Sequence, residues 1–435
     1  YDQTSRNFAL FTHNIFSLTD SLKLTVGARY TRERKTLDAS FTDNNLLCRN
    51  LAVAVGPAAA LRALQQLPCV IPSVPGGSLT LNNEKKTESK LSGTVVLSWK
   101  PSPETLTYVS YSRGYKAGGF NLDRSALNRI VAGTAPGGVT SAASLSQLEF
   151  QPEINDAIEI GAKYNGRGVD VNIALFNQLF RDFQLNTFNG INFFVENINS
   201  CKDYLFRADI DNNPATGACR SDRTRAGVRS RGIEVEVFTR PVQDVTFNVG
   251  ATFADTRYRE NLVGTDGRPL TNALFQLPDR RLSNSSKLAV TGALGFTPRI
   301  GSSGLRGLFY IDARHATAFN TGSDLDYEKL QRAYTVVNGR IGLTGPDQRW
   351  GVELWAQNLF NEDYMQVAFD ATLQGSGTYR AVRYGFTPTS TQLFGAFLAE
   401  PRTYGVTFRM KLAPERRVAE AAPPPPPPPP PPRPA

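Results

Sequence analysis

The sequence predicts an all-β fold, a transmembrane antiparallel β-barrel of the outer-membrane type. Three observations carry this. Apolar and polar residues alternate with period two through segments that often reach 13 to 17 residues, well beyond the roughly five or six of ordinary globular strands. Short turns and long loops alternate between those segments, which puts the long loops at one rim. No stretch approaches the roughly 18 apolar residues of a membrane helix, and a closed barrel is the other way to pair every backbone group inside a bilayer. A soluble sandwich or propeller would give shorter strands and no reason for one-sided loops.

Thirteen strands are expected, near residues 5–17, 20–34, 86–100, 104–116, 153–165, 168–183, 224–240, 242–258, 286–297, 304–319, 330–344, 348–362 and 401–412. In LKLTVGARY, Leu22, Leu24, Val26 and Ala28 oppose Lys23, Thr25, Gly27 and Arg29. In GVDVNIALFNQLF, Val169, Val171, Ile173, Leu175 and Leu179 share one side, with Asp170, Asn172, Ala174 and Gln178 on the other. DVTFNVGATF repeats the pattern with Val245, Phe247, Val249, Ala251 and Phe253. The closing strand sends Tyr404, Val406, Phe408, Met410 and Leu412 towards lipid and Gly405, Thr407, Arg409 and Lys411 inward.

The short turns are LTDS, KPSPE, NGRG, PVQ, PRIGSSG and GPDQ. The long loops fall near 35–85, 117–152, 184–223, 259–285 and 363–400, with 320–329 a shorter member of that set. Tyr30, Tyr108, Tyr111, Tyr115, Tyr164, Trp99, Trp350 and Tyr404 lie towards strand ends, where interfacial aromatic girdles form.

The net charge of +9 is scattered along the chain, whereas a nucleic-acid binder concentrates basic residues on one face. His13 and His315 are far apart, with no Cys or carboxylate at metal-ligand spacing, so no metal is expected. Four cysteines form two local pairs, Cys48 with Cys69 and Cys201 with Cys219, neither at CxxC spacing. Each pair brackets a polar segment, as a loop-closing disulfide in an oxidising compartment would; free thiols are the alternative. Within the first bracket, residues 57–67 read as a short helix with Pro57 in its first turn. The second holds DIDNNPATG, where Asp209, Asp211 and Asn213 have the order of calcium-loop ligands. Pro214 replaces the turn glycine and Arg220 the bidentate Glu, so an Asx-rich turn is the expectation. The chain opens on YDQTSRNFALF, already strand-like and without Met, and is expected to be the C-terminal part of a longer protein.

Several segments carry a resemblance. VELWAQNLFNEDY (352–364), with Asn358, Leu359, Phe360 and Tyr364, followed by a long loop and PRTYGVTFRMKL (401–412), resembles the last two strands of the TonB-dependent outer-membrane receptors. YVSYSRGYKAGGFN (108–121), PEINDAIEIGAKY (152–164) and RSRGIEVEVF (229–238) are similar to family strands in the expected order, so the resemblance covers residues 1–412. It implies a barrel of about 22 strands, of which 13 are visible here, with residues 5–17 near the tenth. It also implies an N-terminal plug lying outside this sequence. Implied function is energy-coupled uptake of a scarce solute, a ferric siderophore foremost, with cobalamin, heme or a glycan as variants. The implied partners are outer-membrane lipid and the TonB–ExbB–ExbD system acting through the plug, with no cofactor and no nucleic acid.

Loop residues Arg113, Tyr115, Lys116, Arg124, Arg380 and Tyr384 are the candidate contacts for an anionic chelate, with solvated loop side chains as the alternative. Asn358 is expected to bond local backbone where its strand leaves the sheet. The competing functions are a passive porin, a secretion barrel or a barrel enzyme. Asp312 and His315 share a strand but face opposite sides, a poor acid–base pair. Beyond the barrel part, residues 413–435 form a proline-rich tail, expected in the periplasm and disordered. Its ten prolines, Pro423 to Pro432, would span about 31 Å as a polyproline II rod at about 3.1 Å per residue.

Overall fold

A computed structural model describes the chain outside residues 43–45, 48–49, 51–77, 123–144, 146–147, 189–192, 204–218, 265–266, 268–269, 271–273, 275, 371–393 and 412–435. Cys48, Cys69, Arg124, Arg380, Tyr384, the 57–67 and 209–217 segments, Leu412 and the tail lie outside the described residues.

Each expected strand is present. They are β1 (Asp2–Ser17), β2 (Leu22–Thr42), β3 (Ser78–Ser102), β4 (Thr105–Lys116), β5 (Glu153–Gly166), β6 (Val169–Arg181) and β7 (Val228–Thr239). There follow β8 (Val245–Tyr258), β9 (Leu288–Phe296), β10 (Leu305–Ala316), β11 (Tyr334–Thr344), β12 (Trp350–Gln357) and β13 (Thr403–Met410). Every strand pairs antiparallel with its neighbours in chain order, giving one continuous wall from β1 to β13. The barrel is partial: β1 and β13 are the two edges and do not pair with each other.

Register explains why alternation was so regular. Leu24, Leu97, Val109, Ile160, Leu175, Ile233, Phe253 and Leu288 stand directly opposite one another across β2 to β9. Phe309, Ile341, Leu354 and Val406 do the same across β10 to β13. A one-residue slip anywhere would send a whole strand's apolar side to the wrong face. Val406, Phe408 and Met410 are each more than 60% exposed, a continuous apolar surface that water would not tolerate but acyl chains would cover.

The buried apolar clusters lie in the long loops and above the belt, not in the wall within it. One gathers Leu37, Ala39, Leu81, Phe120 and Leu148. A second gathers Leu185, Ile198, Val228, Tyr258, Leu262, Leu274 and Leu277. This accounts for the main difference from the sequence pattern. β2 and β3 continue far past residues 34 and 86 and pair up to Thr42 and Ser78. There the outer side is polar and the apolar residues change sides: Leu37, Ala39 and Leu81 pack inward against the loop and hold the hairpin.

Other strands stop earlier than expected. Thr224–Ala226 separates from β7 at Gly227, where a Cβ would sit 2.5 Å from the Ile198 carbonyl. Leu330–Gln331 is distinct from β11, and β12 ends at Gln357 rather than near 362. Tyr108 is a correction to the girdle: it shares parity with Ser110 and Ser112, faces inward and donates its hydroxyl to Glu159 at 2.6 Å. The loops also hold strands that composition hid. The hairpin Phe183–Phe188 with Phe193–Cys201 joins Thr224–Ala226 and Leu262–Val263 in a four-stranded sheet. Cys201 at its end is disulfide-bonded to Cys219, with Cα atoms 5.9 Å apart, and both pack on Val263.

Candidate functional site

Even-numbered strands from β2 to β12 all end at the same rim, so their loops converge on one mouth. The mouth is held by side-chain amides. Asn121 accepts from the Val195 N–H at 2.7 Å and donates to the Val195 carbonyl at 3.0 Å. Asn197 accepts from Gln151 N–H at 2.7 Å and donates to the Gln151 and Asp182 carbonyls at 2.9 and 2.8 Å. Gln184 donates to the Ala117 carbonyl at 2.9 Å and to that of Gln151 at 3.1 Å. Asn and Gln suit this task because each carries both a donor and an acceptor, matching the two groups of an irregular backbone. The loops after β4 and β6 are thereby fixed to one another.

Two further clusters close the other side of the mouth. Asn358, 4% exposed and at φ 48°, ends β12. Its amide donates to the carbonyls of Glu362 and Glu400 at 2.9 and 3.1 Å and accepts from the Glu362 N–H at 2.8 Å. The side chain thus joins both ends of the last loop, and the left-handed backbone explains why Asn suits the position. Tyr364 stacks on Tyr334 with ring centroids 4.0 Å apart. Leu359 and Phe360 lie exposed at the turn between them.

Above that stack, Lys329 is 1% exposed and donates to Asp324 at 2.6 Å and Asp370 at 2.5 Å, with Asp326 at 3.9 Å. The three carboxylates lie within 4.8 Å of one another, but the ammonium occupies the centre where a metal ion would sit. The knot ties the loop after β10 to the loop after β12. Burial works against the Lys329 charge, yet Asp324 and Asp370 outweigh it and hold the ammonium above its ordinary value. Burial and the adjacent Asp324 push the Asp370 carboxyl up to about 6. The folded loop therefore binds that proton more firmly than the unfolded chain does. Its contribution is complete below about pH 4 and is lost as pH rises through about 6. Hydrogen exchange at residues 365–370, corrected for intrinsic rate, is expected to be slower at pH 5 than at pH 7.5; equal protection would contradict this.

Three concavities differ in kind. The largest, about 420 Å³, is lined by Leu22, Leu97, Trp99, Val109, Ile160 and Leu175 and belongs to the lipid-facing belt, so no solute reaches it. A pocket of about 350 Å³ at the mouth is lined by Arg280, Arg281, Phe319, Leu325 and Tyr327 among others. A third, about 240 Å³, faces the lumen between Asp312, Asn338, Arg340, Glu353, Trp355 and Arg409. Arg409 pairs with Glu353, Asn338 donates to Asp312 at 2.8 Å, and Arg340 lies over the Tyr310 ring, 5.4 Å from its centroid. His315 points the other way, towards Thr335, so Asp312 and His315 are not brought together.

Of the loop residues singled out in the sequence, the described ones, Arg113, Tyr115 and Lys116, divide between the two faces of β4. Arg113 and Tyr115 have the outward parity of Val109 and Tyr111, and Lys116 the inward one. Arg113 donates to both oxygens of Asp156, at 2.6 and 2.9 Å, and Tyr111 donates to the same carboxylate at 2.7 Å. The Asn/Gln stitching and the Lys329 knot escaped sequence reasoning. SDLDYEK at 323–329 carries the charges of the knot, but nothing in it indicates burial or the arrival of Asp370.

A family model described as TonB dependent receptor-like, beta-barrel, matches residues 1–359. Among solved structures, the fold is similar to the ferric yersiniabactin uptake receptor FyuA from Yersinia pestis (TM-score 0.59, 13% identity, covering 94% of this chain and 46% of that one). It is also similar to the ferric-catecholate import receptor Fiu from E. coli K12 in its closed form (0.56, 15%, 94% and 45%). A third is the siderophore receptor PiuA from Acinetobacter baumannii (0.56, 12%, 93% and 43%). The chain spans less than half the length of each of these structures. No curated protein matches it in sequence. A wall of thirteen strands in chain order, its loops on one rim and the family match over residues 1–359 lead to one conclusion: the chain belongs to the TonB-dependent receptor β-barrel family, a receptor and transporter family of the Gram-negative outer membrane.

Proposed function

We propose that this chain forms the C-terminal wall and outer mouth of a receptor for energy-coupled uptake of a ferric siderophore. The family match over residues 1–359 carries this reading, and the similarity in fold to FyuA, Fiu and PiuA agrees with it. The mouth supplies the expected chemistry. Its loops are fixed to one another by buried amides, so ligand contacts are pre-organised rather than paid for on binding. Residues 1–412 form the barrel part and residues 413–435 a proline-rich periplasmic tail. Drive comes from TonB–ExbB–ExbD acting on a plug supplied outside this sequence. Lys116, with inward parity, is the described loop candidate best placed to meet an anionic chelate. Arg124, Arg380 and Tyr384 complete the candidate set by their place in the sequence.

Uptake of radiolabelled iron by iron-starved cells expressing the full-length protein tests the proposal. Accumulation with a panel of ferric siderophores is expected, and it should vanish when TonB is deleted. Undiminished uptake without TonB would overturn the coupled mechanism in favour of a passive pore. No uptake with any ferric chelate, alongside uptake of cobalamin or a glycan, would overturn the substrate class.

A further inference from the structure

The outward face carries a second band that solute uptake does not use. On β7, Ile233, Val235 and Val237 face lipid, and by the same parity so do Arg231 and Arg229. β8 repeats this, Phe253 being followed on its face by Asp255 and Arg257. At about 3.3 Å per residue, Arg231 lies about 7 Å and Arg229 about 13 Å beyond Ile233 along the strand. These side chains have left the apolar belt and stand where headgroups begin.

Strand register concentrates the charge. Arg229 stands directly opposite Arg257, and Arg257 bridges to Arg281 on its other side. Like charges facing one another on adjacent strands are unfavourable. Arg181, at the end of β6 and of outward parity, and Arg259, whose N–H donates to the Gly227 carbonyl at 2.8 Å, extend the patch. Burial, and then Arg225, Arg229 and Arg181, hold the Arg259 guanidinium below its ordinary value.

Compensation is thin. Asp255 accepts from Arg257 at 2.5 Å and lies 3.7 Å from Arg231, and Asp279 lies 3.9 Å from Arg257. Among the described residues, Arg181, Arg229 and Arg259 form no ion pair, and the buried Nε of Arg281 has no hydrogen-bond partner. On the neighbouring strands β4 and β5 the same level is neutral, because Arg113 and Asp156 pair. The surplus runs over β6, β7, β8 and the loop that follows; Arg6 opposite Arg34 on β1 and β2 is a second outward pair of like charge.

We propose that this arginine patch is a docking surface for the phosphate groups of an outer-leaflet glycolipid. A guanidinium fork binds phosphate oxygens in pairs, and several forks at strand spacing suit a headgroup with more than one phosphate. Beneath them Leu175, Ile233 and Phe253 offer an apolar surface to the acyl chains. Outward parity keeps a solute in the lumen from reaching Arg181, Arg229, Arg231 and Arg257, whereas Arg281 also lines the mouth pocket. The proposal rests on the outer-membrane setting and not on the uptake reading, so either can fail alone.

The test is lipid retention by the full-length protein in detergent, read by native mass spectrometry after incubation with lipid A, dephosphorylated lipid A or inorganic phosphate. Wild type should retain lipid A and not the dephosphorylated form. The triple variant Arg229→Gln, Arg257→Gln and Arg259→Gln should bind it about a hundredfold more weakly, near fivefold per arginine. Arg314→Gln, of lumenal parity on β10, should bind as wild type does. Heat-modifiable gel mobility reports folding; should the triple variant fail to fold, Arg259→Gln alone is expected to lose about fivefold. Equal retention by the folded variants would overturn the proposal. So would displacement of the lipid by inorganic phosphate at matched phosphate concentration.

Discussion

Replacing Lys329 with Ala is expected to free the last two outer loops from one another. Removing one partner from a buried ionic cluster typically costs about 3–5 kcal/mol, because the remaining charges stay buried without compensation. Here the remainder is severe: Asp324, Asp326 and Asp370 have oxygens within 4.8 Å of one another. Like charges that close cannot all remain ionised, so the loops part or take up protons. The loss is local, since the wall strands below are tied by their own ladders. Limited proteolysis or hydrogen exchange over residues 319–331 and 365–370 is the measurement, and protection there should fall while barrel strands stay protected. Lys329→Met, which keeps the apolar stem, should fail equally, whereas adding Asp324→Asn and Asp370→Asn to it should restore much of the protection. Unchanged exchange in Lys329→Ala would show that the knot does not hold the loops.

Leu354→Arg is expected to impair insertion of the barrel. Leu354 is 51% exposed on the outward face of β12, directly between Ile341 and Val406. An arginine facing lipid costs about 2–4 kcal/mol near the bilayer midplane and less towards either interface. Gln357→Arg is the control, because Gln357 has the inward parity of Glu353 and Trp355 and meets water. The outer-membrane, heat-modifiable fraction should drop for Leu354→Arg and hold for Gln357→Arg. Equal loss in both would mean that β12 does not present these two faces to lipid and lumen.

Much of the wall is legible in the sequence itself. A strand that faces lipid on one side and water on the other leaves a period-two record over its whole length, as β6, β8 and β13 do. The ends were less legible, for the same reason. Past Tyr30 the outer side of β2 no longer meets lipid, so RERKT is polar on both sides and LDASFT turns its apolar residues inward, although the strand remains paired with β3. Tyr108 was misplaced because an aromatic near a strand end reads as a girdle until its parity is fixed by neighbours such as Glu159.

The mouth was hardly legible at all. Asn121, Asn197 and Gln184 are ordinary loop residues in the sequence, and they become structural only through backbone groups many residues away. Asn358 stood out because family strands end in the same NLF stretch, yet its link to Glu400 depends on the closing of a long loop. Lys329 is unmarked in the sequence, and its burial depends on Asp370, which arrives from the next loop.

The sequence by itself determined the wall: strand number, strand order, which side of each strand meets lipid, and the rim that gathers the loops. Tertiary structure alone decided which polar residues are buried, which charges compensate one another and which are left in surplus on the outer face. The reason is physical. A bilayer acts on every residue of a strand separately and so writes itself into local pattern, whereas a hydrogen bond or an ion pair exists only between two positions and leaves no mark on either.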